Sequence, residues 1–113
     1  MIVKINGQMY SAYLLTIKKK WYDMILSGEK KEEYREFKTY YLKRFRKIGM
    51  IADDGFSVTG VERLICFRNG YSNNSPSFVA RCTLEVGEGK TEWGAEKGVK
   101  YYILKIKEII GER

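Results

Sequence analysis

The chain has 113 residues, 44% of them apolar, and a formal net charge of +7. This length suits one domain over residues 1–113, and the apolar content excludes an intrinsically disordered chain. No stretch approaches eighteen consecutive apolar residues and no secretory leader is visible, so we expect a soluble cytoplasmic protein with no membrane partner.

The residue types also restrict the chemistry. The sequence contains no histidine, which excludes Ser-His-Asp and Cys-His catalysis. Cys66 and Cys82 lie in strand-like runs and form no CxxC pair, so we expect reduced core thiols and neither a disulfide nor a zinc site. We expect no metal and no cofactor.

The excess positive charge belongs to the first half of the chain. Residues 1–50 hold twelve Lys or Arg and five Asp or Glu, whereas residues 51–113 hold nine of each. The chain also has two Trp, nine Tyr and five Phe. A basic surface with aromatic side chains suits a polyanion, because phosphates release counterions and bases stack on rings. Basic proteins without such a partner are also common.

The first 17 residues predict a β-hairpin. Asn6 and Gly7 stand between two strand-like segments, and an Asn-Gly pair there is the strongest short hairpin signal because both residues tolerate positive φ. We expect the second arm to run through residues 12–17. The hairpin at 1–11 is a possible extension of the domain.

A first helix is predicted from residue 18 to residue 27. Trp21, Met24 and Ile25 recur at i, i+3 and i+4, which places them on one helical face. Gly28 follows as the expected C-terminal stop, since glycine readily adopts the left-handed conformation that ends many helices.

A second helix is predicted at 36–48. Its apolar stripe consists of four side chains: Phe37, Tyr41, Phe45 and Ile48. Its remaining surface is crowded with cations: Lys38, Lys43, Arg44, Arg46 and Lys47. The pattern is typical of an amphipathic helix packed on a core, and equally of a basic helix lying along a phosphate backbone; both can hold at once.

Three strands are predicted after the helices. Residues 61–67 form a strand-like run, and residues 78–86 and 99–106 alternate as half-buried strands do. The loops at 68–77 and 87–98 are long for hairpin connections, and long loops often carry function. The order of elements predicts an α+β fold, mainly β, with a curled sheet or small barrel and helices at one opening.

Residues 28–35, GEKKEEYR, contain the pattern G-x-K-x-x-E-x-R, made by Gly28, Lys30, Glu33 and Arg35. Directly after an apolar helix, this pattern resembles the signature of the ASCH domain family, a branch of the PUA-like superfamily. LLTIKKKWYDMILSG and KGVKYYILKIKEII are similar to that family's first strand and helix and to its closing strand. The resemblance implies a small PUA-like β-barrel with two helices flanking a cleft, the motif lining that cleft, and RNA or a nucleotide-like ligand as partner.

The resemblance also implies an alternative function. One bacterial branch of the family removes acyl groups from modified cytidine, using a Lys and a Thr on this turn and a later Glu. Lys30 matches that Lys, whereas Glu33 stands where the Thr would be, so the activity does not transfer directly. Whether the protein is an enzyme stays open.

The motif makes a geometric prediction that is independent of the family. If residues 30–35 run as a strand, alternate side chains share a face, so Glu33 and Arg35 are neighbours and can form a charge-assisted pair. Lys30 then falls on the opposite face. It can join the pair only if the backbone at 30–32 is irregular or a partner strand brings the groups together.

Three interpretations of the motif follow. In a binding module, Arg35 or Lys30 contacts phosphate and Tyr34 or Trp21 stacks on a base. In a hydrolase acting on modified nucleosides or RNA, Lys30 and Glu33 are the catalytic residues. In the third interpretation the motif is a structural ion pair. RNA or DNA preference and oligomeric state are left open.

We expect Lys30, Glu33 and Arg35 to line a solvent-accessible cleft. The candidate ligand-binding residues are the cations and aromatic side chains of the motif, the two helices and the first long loop: Lys20, Trp21, Lys30, Tyr34, Arg35, Lys43, Arg44, Arg46, Lys47 and Arg68.

Overall fold

The computed structural model describes residues 1–113 and contains seven strands, two helices and one 3₁₀ turn at Thr91–Trp93. The helices are α1 (Lys19–Leu26) and α2 (Thr39–Lys47). The strands, in chain order, are β1 (Ile2–Ile5), β2 (Gln8–Ser11), β3 (Tyr13–Thr16), β4 (Glu32–Glu36), β5 (Arg63–Arg68), β6 (Ser77–Glu88) and β7 (Lys100–Glu112).

Five of the strands form one sheet in the order β3-β5-β6-β7-β4. β3 runs parallel to β5, and every other pair is antiparallel. The long β6–β7 pair contains two register shifts, and such bulges bend strands and increase their twist. The sheet therefore curls into a half-barrel. This confirms a mixed α+β fold that is mainly β, and it corrects the barrel prediction, because β3 and β4 remain edge strands.

One side chain spans the gap between the two sheet edges. Arg35 on β4 donates a hydrogen bond of 2.9 Å from Nη2 to the backbone carbonyl of Thr16, the last residue of β3. No backbone ladder closes the sheet at this point. The Arg35 guanidinium group therefore bridges the opening between β3 and β4. Side chains of both helices also line this opening.

The hairpin prediction is confirmed at its turn and corrected in its second arm. Asn6 and Gly7 have φ of 49° and 83°, as a two-residue turn with positive φ at both positions requires. The second arm is β2, not residues 12–17. Residues 13–16 instead form β3, which joins the main sheet beside β5.

Both predicted helices are present, and their bounds lie within three residues of the prediction. Gly28 follows α1 with a φ of 86°, as expected of a C-terminal stop. Phe37 departs from the prediction, because it precedes α2, is 51% exposed, and packs its ring against Tyr102 at 4.8 Å. No helix is both long enough and apolar enough to cross a membrane.

Two apolar clusters stabilise the fold. The larger, of 15 buried residues, lies between the concave sheet face and the helices and includes Ile25, Phe45 and Phe78. The smaller lies under the hairpin and includes Val3 and Val79. Alternate residues of β6 thus serve both clusters, because successive side chains of a strand point to opposite faces. The Cα radius of gyration, 13.6 Å, is that of one compact body.

Each cysteine belongs to one of these clusters. Cys82 lies in the larger cluster and Cys66 in the smaller, and both are buried and free. Because successive strand side chains point to opposite faces, neighbouring strands can place two such thiols on different sides of a sheet. The expectation of two separate core thiols is confirmed.

Candidate functional site

The backbone after α1 is irregular, and this brings the motif together. The Lys30 amide donates to the Met24 carbonyl at 2.9 Å, and β4 begins only at Glu32. Lys30 is therefore not part of the strand, and the strict alternation of faces does not apply to it. Its side chain turns to the side occupied by Glu33, which resolves the geometric conflict that the sequence left open.

Lys30, Glu33 and Arg35 form a buried charge cluster. Lys30 Nζ lies 2.9 Å from Glu33 Oε1, and Arg35 Nη2 lies 2.8 Å from Glu33 Oε2. One carboxylate is shared by two cations, and the exposed side-chain fractions are 1%, 7% and 14% for Lys30, Glu33 and Arg35. The predicted Glu33–Arg35 pair is confirmed.

Lys30 is buried, and its ammonium group has two further partners besides Glu33. Its Nζ donates to the Trp93 carbonyl at 2.9 Å and lies 4.1 Å from the centroid of the Trp21 ring. Burial lowers the pKa of Lys30 below that of a free lysine, although Glu33 opposes this shift. The expectation that Lys30 is solvent-accessible is wrong, because its side chain is 1% exposed and lies beneath the indole and the Trp93 turn.

Arg35 connects the charge cluster to two other elements. Besides Glu33 and the Thr16 carbonyl, it donates from Nη1 to the Tyr41 hydroxyl at 3.3 Å. Its Nε–H is buried and has no partner. Arg35 thus ties β4 to β3 and to α2 at the open side of the sheet.

A cleft of about 940 Å³ opens at this position. Its floor includes Glu33, Arg35 and Thr16. The two long loops form its walls, the first through residues 69–71 and the second through Gly94 and Glu96. Five aromatic side chains surround it: Trp21, Tyr34, Tyr41, Tyr71 and Tyr101. Small-molecule sites in proteins have volumes of about 300–1,000 Å³, so the cleft can enclose a ligand of nucleotide size.

The cleft itself does not carry the positive charge expected of it. Its ionisable lining residues are two cations and three carboxylates: Lys18, Arg35, Glu33, Glu36 and Glu96. The Arg35 charge is already paired with Glu33. An anion placed in this cleft would therefore meet more negative than positive charge.

The expected positive charge lies on α2 instead. Thr39–Lys47 contains no acid, and its four cations, Lys43, Arg44, Arg46 and Lys47, take part in no salt bridge; we call them the α2 cations. Arg44 is half-buried and stacks on Tyr40 with 3.8 Å from Cζ to the ring centroid. The other three are exposed.

The remaining candidates have different surroundings. Lys20 is exposed, with Nζ 4.6 Å from the Trp21 ring centroid. The Tyr34 hydroxyl donates to Glu32 and accepts from the Lys90 amide, and burial raises the pKa of Tyr34. Arg68 is buried and donates to the carbonyls of residues 70 and 71, so it braces that loop and does not line the cleft.

Several residues of the site were not predicted from the sequence. Trp93 acts through its carbonyl, which has no sequence signature and lies 63 residues from Lys30 along the chain. Thr16 likewise contributes a carbonyl. Tyr71 and Glu96, by contrast, lie in the loops at 68–77 and 87–98, which are long for hairpin connections. Loop length was thus the one signal that pointed to the cleft walls.

No group of three or more His, Cys, Asp or Glu side chains is placed to hold a metal ion. Comparisons with protein-family models, with curated proteins and with solved structures find no match to this chain. Function is therefore inferred from the geometry and charge of the site, since a fold alone does not imply one.

Proposed function

We propose that the protein binds RNA, or a nucleotide-like part of it, in the cleft between β3 and β4, as a PUA-like protein of the ASCH type. The observation that carries this proposal is an aromatic-lined cleft of nucleotide size beside a helix with four unpaired cations. Proteins recognise single-stranded RNA by stacking splayed bases on aromatic side chains while cations neutralise the backbone.

The aromatic walls are the part of the site suited to a base. Tyr71 is 89% exposed and has no aromatic ring packed against it, so its face is available to a ligand. Trp21 on α1 also lines the cleft, with Lys20, Lys30 and Gly94 lying against its ring. A base that stacks on the Tyr71 ring would lose water on that face, which favours binding of any base.

The charge cluster supports the cleft and does not contact the ligand through Lys30. Glu33 and Arg35 hold β4, β3 and α2 at fixed distances, and Lys30 holds the Trp93 turn against Trp21. A site whose walls are already in place loses less conformational entropy when a ligand binds. Lys30 is therefore a positioning residue in this proposal.

Hydrolysis of modified nucleosides or RNA is the second candidate. One observation favours it: the pKa of Lys30 is lowered by burial, and such an amine beside Glu33 could act as a base. Binding is better supported, because Lys30 Nζ is enclosed by Glu33, the Trp93 carbonyl and the Trp21 ring and does not line the cleft. We expect no turnover of RNA or acylated cytidine during incubation with the protein.

The binding proposal is tested with Tyr71→Ala and a labelled single-stranded RNA. Stacking of one base on an aromatic ring contributes about 1–3 kcal/mol, so the variant should bind several-fold to about a hundredfold more weakly. Phe56→Ala is the matched control, since Phe56 is 85% exposed and lies outside the cleft. Fluorescence anisotropy measures affinity, and thermal melting should be the same for both variants.

The parent protein should bind this RNA with a Kd of about 10⁻⁴ to 10⁻⁶ M near physiological salt, and more tightly at low salt. Absence of binding at low salt would contradict the proposal. An equal loss in Tyr71→Ala and Phe56→Ala would show that the cleft is not the binding site.

A further inference from the structure

A second recess of about 380 Å³ adjoins the cleft. The two share Thr16, Arg35 and Tyr41, so the Arg35–Tyr41 hydrogen bond forms the partition between them. On its far side the recess is lined by β3 and by Tyr40 and Arg44 of α2. A ligand long enough to cross this partition would occupy both spaces.

The two spaces differ in charge. Arg44 is the one unpaired cation that lines the recess, since the charge of Arg35 is paired with Glu33, and no carboxylate lines it. Lys38 faces the same two rings, with Nζ 6.0 Å from the Tyr40 centroid and 5.8 Å from the Tyr41 centroid, although it also lies 3.5 Å from Glu36. The recess therefore favours an anion, whereas the three carboxylates of the cleft disfavour one.

The guanidinium group of Arg44 is held in place and has no anionic partner within the protein. Its guanidinium stacks on Tyr40 at 3.8 Å, has no carboxylate within salt-bridge distance, and donates no side-chain hydrogen bond. Stacking restricts the side chain while it leaves the N–H groups at the guanidinium edge free. Such an edge matches the oxygens of a phosphate, which arginine binds through two parallel hydrogen bonds.

We propose that this recess is a phosphate subsite: a nucleoside occupies the cleft, and its phosphate crosses the Arg35–Tyr41 partition and is bound by Arg44. The proposal rests on nucleotide binding in the cleft and adds where the charge of that ligand goes. It makes the preferred ligand a phosphorylated nucleoside or an RNA strand, and not a free nucleoside.

The same geometry indicates the path of a longer strand. Lys47 follows Arg44 by three residues and Lys43 follows Tyr40 by three, so these four side chains share one face of α2. Arg46 is two residues from Arg44 and is rotated by about 200° around the helix axis. A backbone that leaves the recess would meet Lys43 and Lys47 before Arg46.

The test compares nucleosides with their monophosphates by isothermal titration calorimetry. The probes are adenosine, guanosine, cytidine and uridine, each with its 5′- and 3′-monophosphate, and inorganic phosphate alone. At least one monophosphate should bind roughly tenfold tighter than its nucleoside, as expected for charge-assisted hydrogen bonds to one arginine. Inorganic phosphate should bind much more weakly than that nucleotide.

Arg44→Gln should remove this phosphate advantage and leave nucleoside affinity within about twofold of the parent. Arg46→Gln is the matched control, because it removes the same charge from the same helix on another face, and it should keep the advantage. Arg44→Lys should keep part of it, since the charge remains while the planar fork is lost. Melting curves establish that each variant is folded; if Arg44→Gln melts early, Arg44→Lys decides.

Several results would overturn the subsite. Equal affinity for nucleoside and monophosphate would do so while leaving the cleft as a nucleoside site. Equal losses in Arg44→Gln and Arg46→Gln would mean that the helix acts only through its overall charge. Inorganic phosphate binding as tightly as the nucleotide would mean that the recess is independent of the cleft. If neither nucleosides, nucleotides nor RNA bind, the function proposed for the cleft fails first and the subsite with it.

Discussion

The cations of the charge cluster and the α2 cations are of the same two residue types, Lys and Arg, but they differ in burial and in pairing. Lys30 is buried and Arg35 is partly buried, and each has an acidic partner and a backbone carbonyl. Lys43 and Arg46 are exposed and have no ion-pair partner. The cluster lies against the cleft floor, whereas the α2 cations lie beside it.

The difference shows which charges can respond to a ligand. A buried cation whose hydrogen bonds are already made contributes to the shape of a site, and removing its partner leaves an uncompensated charge in a poor solvent. An exposed unpaired cation contributes little to stability but keeps its full capacity to bind an anion. The GEKKEEYR stretch is therefore mainly architectural, and the helix that follows it supplies the free charge.

Glu33→Gln tests whether the charge cluster stabilises the fold, and it should have the largest effect on stability. Removing the shared carboxylate charge leaves Lys30 and Arg35 buried together without an anion, and breaking a buried pair costs about 3–5 kcal/mol. The free energy of unfolding from urea denaturation is the measurement. Glu36→Gln is the control, because Glu36 is on the same strand with a side chain 73% exposed, and it should change stability by less than about 0.5 kcal/mol.

Equal stability of Glu33→Gln and Glu36→Gln would contradict the architectural role. It would mean that the cluster is solvated in solution, and the contrast between the two regions would disappear.

Lys30→Met tests, through the pH dependence of stability, whether Lys30 is desolvated. Its effect on stability should be intermediate. The variant should be less destabilised at neutral pH than Glu33→Gln, because Glu33 keeps Arg35 and one buried charge is gone. Burial lowers the pKa of Lys30 in the folded protein, so between that pKa and the unfolded value of about 10.4 the unfolded state binds more protons. The stability of the parent should therefore rise with pH relative to Lys30→Met across this window.

Urea denaturation of both proteins at intervals from pH 7 to 10 measures this difference. Tyr34, whose pKa is raised, is present in both proteins, so its titration cancels in the comparison. A difference that does not change with pH, or that changes in the opposite direction, would show that Lys30 is not desolvated.

The combined variant Lys43→Gln, Lys47→Gln tests whether exposed α2 cations bind the RNA backbone, and it should have the smallest effect on stability. Exposed substitutions of this kind usually change stability by less than about 0.5 kcal/mol each. For single strands, each phosphate that the variant no longer neutralises should reduce the slope of log K against log salt by about 0.7. Anisotropy titrations of single-stranded RNA at several salt concentrations measure the slope; an unchanged slope would remove these cations from the binding surface.

Local patterns in the sequence determined much of the fold. The positive φ that Asn6 and Gly7 tolerate set the hairpin turn, and the left-handed Gly28 ended α1. Apolar residues at helical spacing located α1 and α2, and alternation located β6 and β7. The neighbouring positions of Glu33 and Arg35 on one strand face also followed from alternation. Each of these depends on residues a few positions apart, and short-range geometry is what a sequence records directly.

Tertiary structure alone decided the sheet edges and the site. Residues 13–16 could pair with the hairpin or with β5, and only the assembled sheet placed them beside β5 and left the barrel open. The Trp93 carbonyl reaches Lys30 across 63 residues, and the Thr16 carbonyl reaches Arg35 across the gap between the sheet edges. Every residue type has a backbone carbonyl, so no sequence pattern marks those that will complete a buried charge cluster.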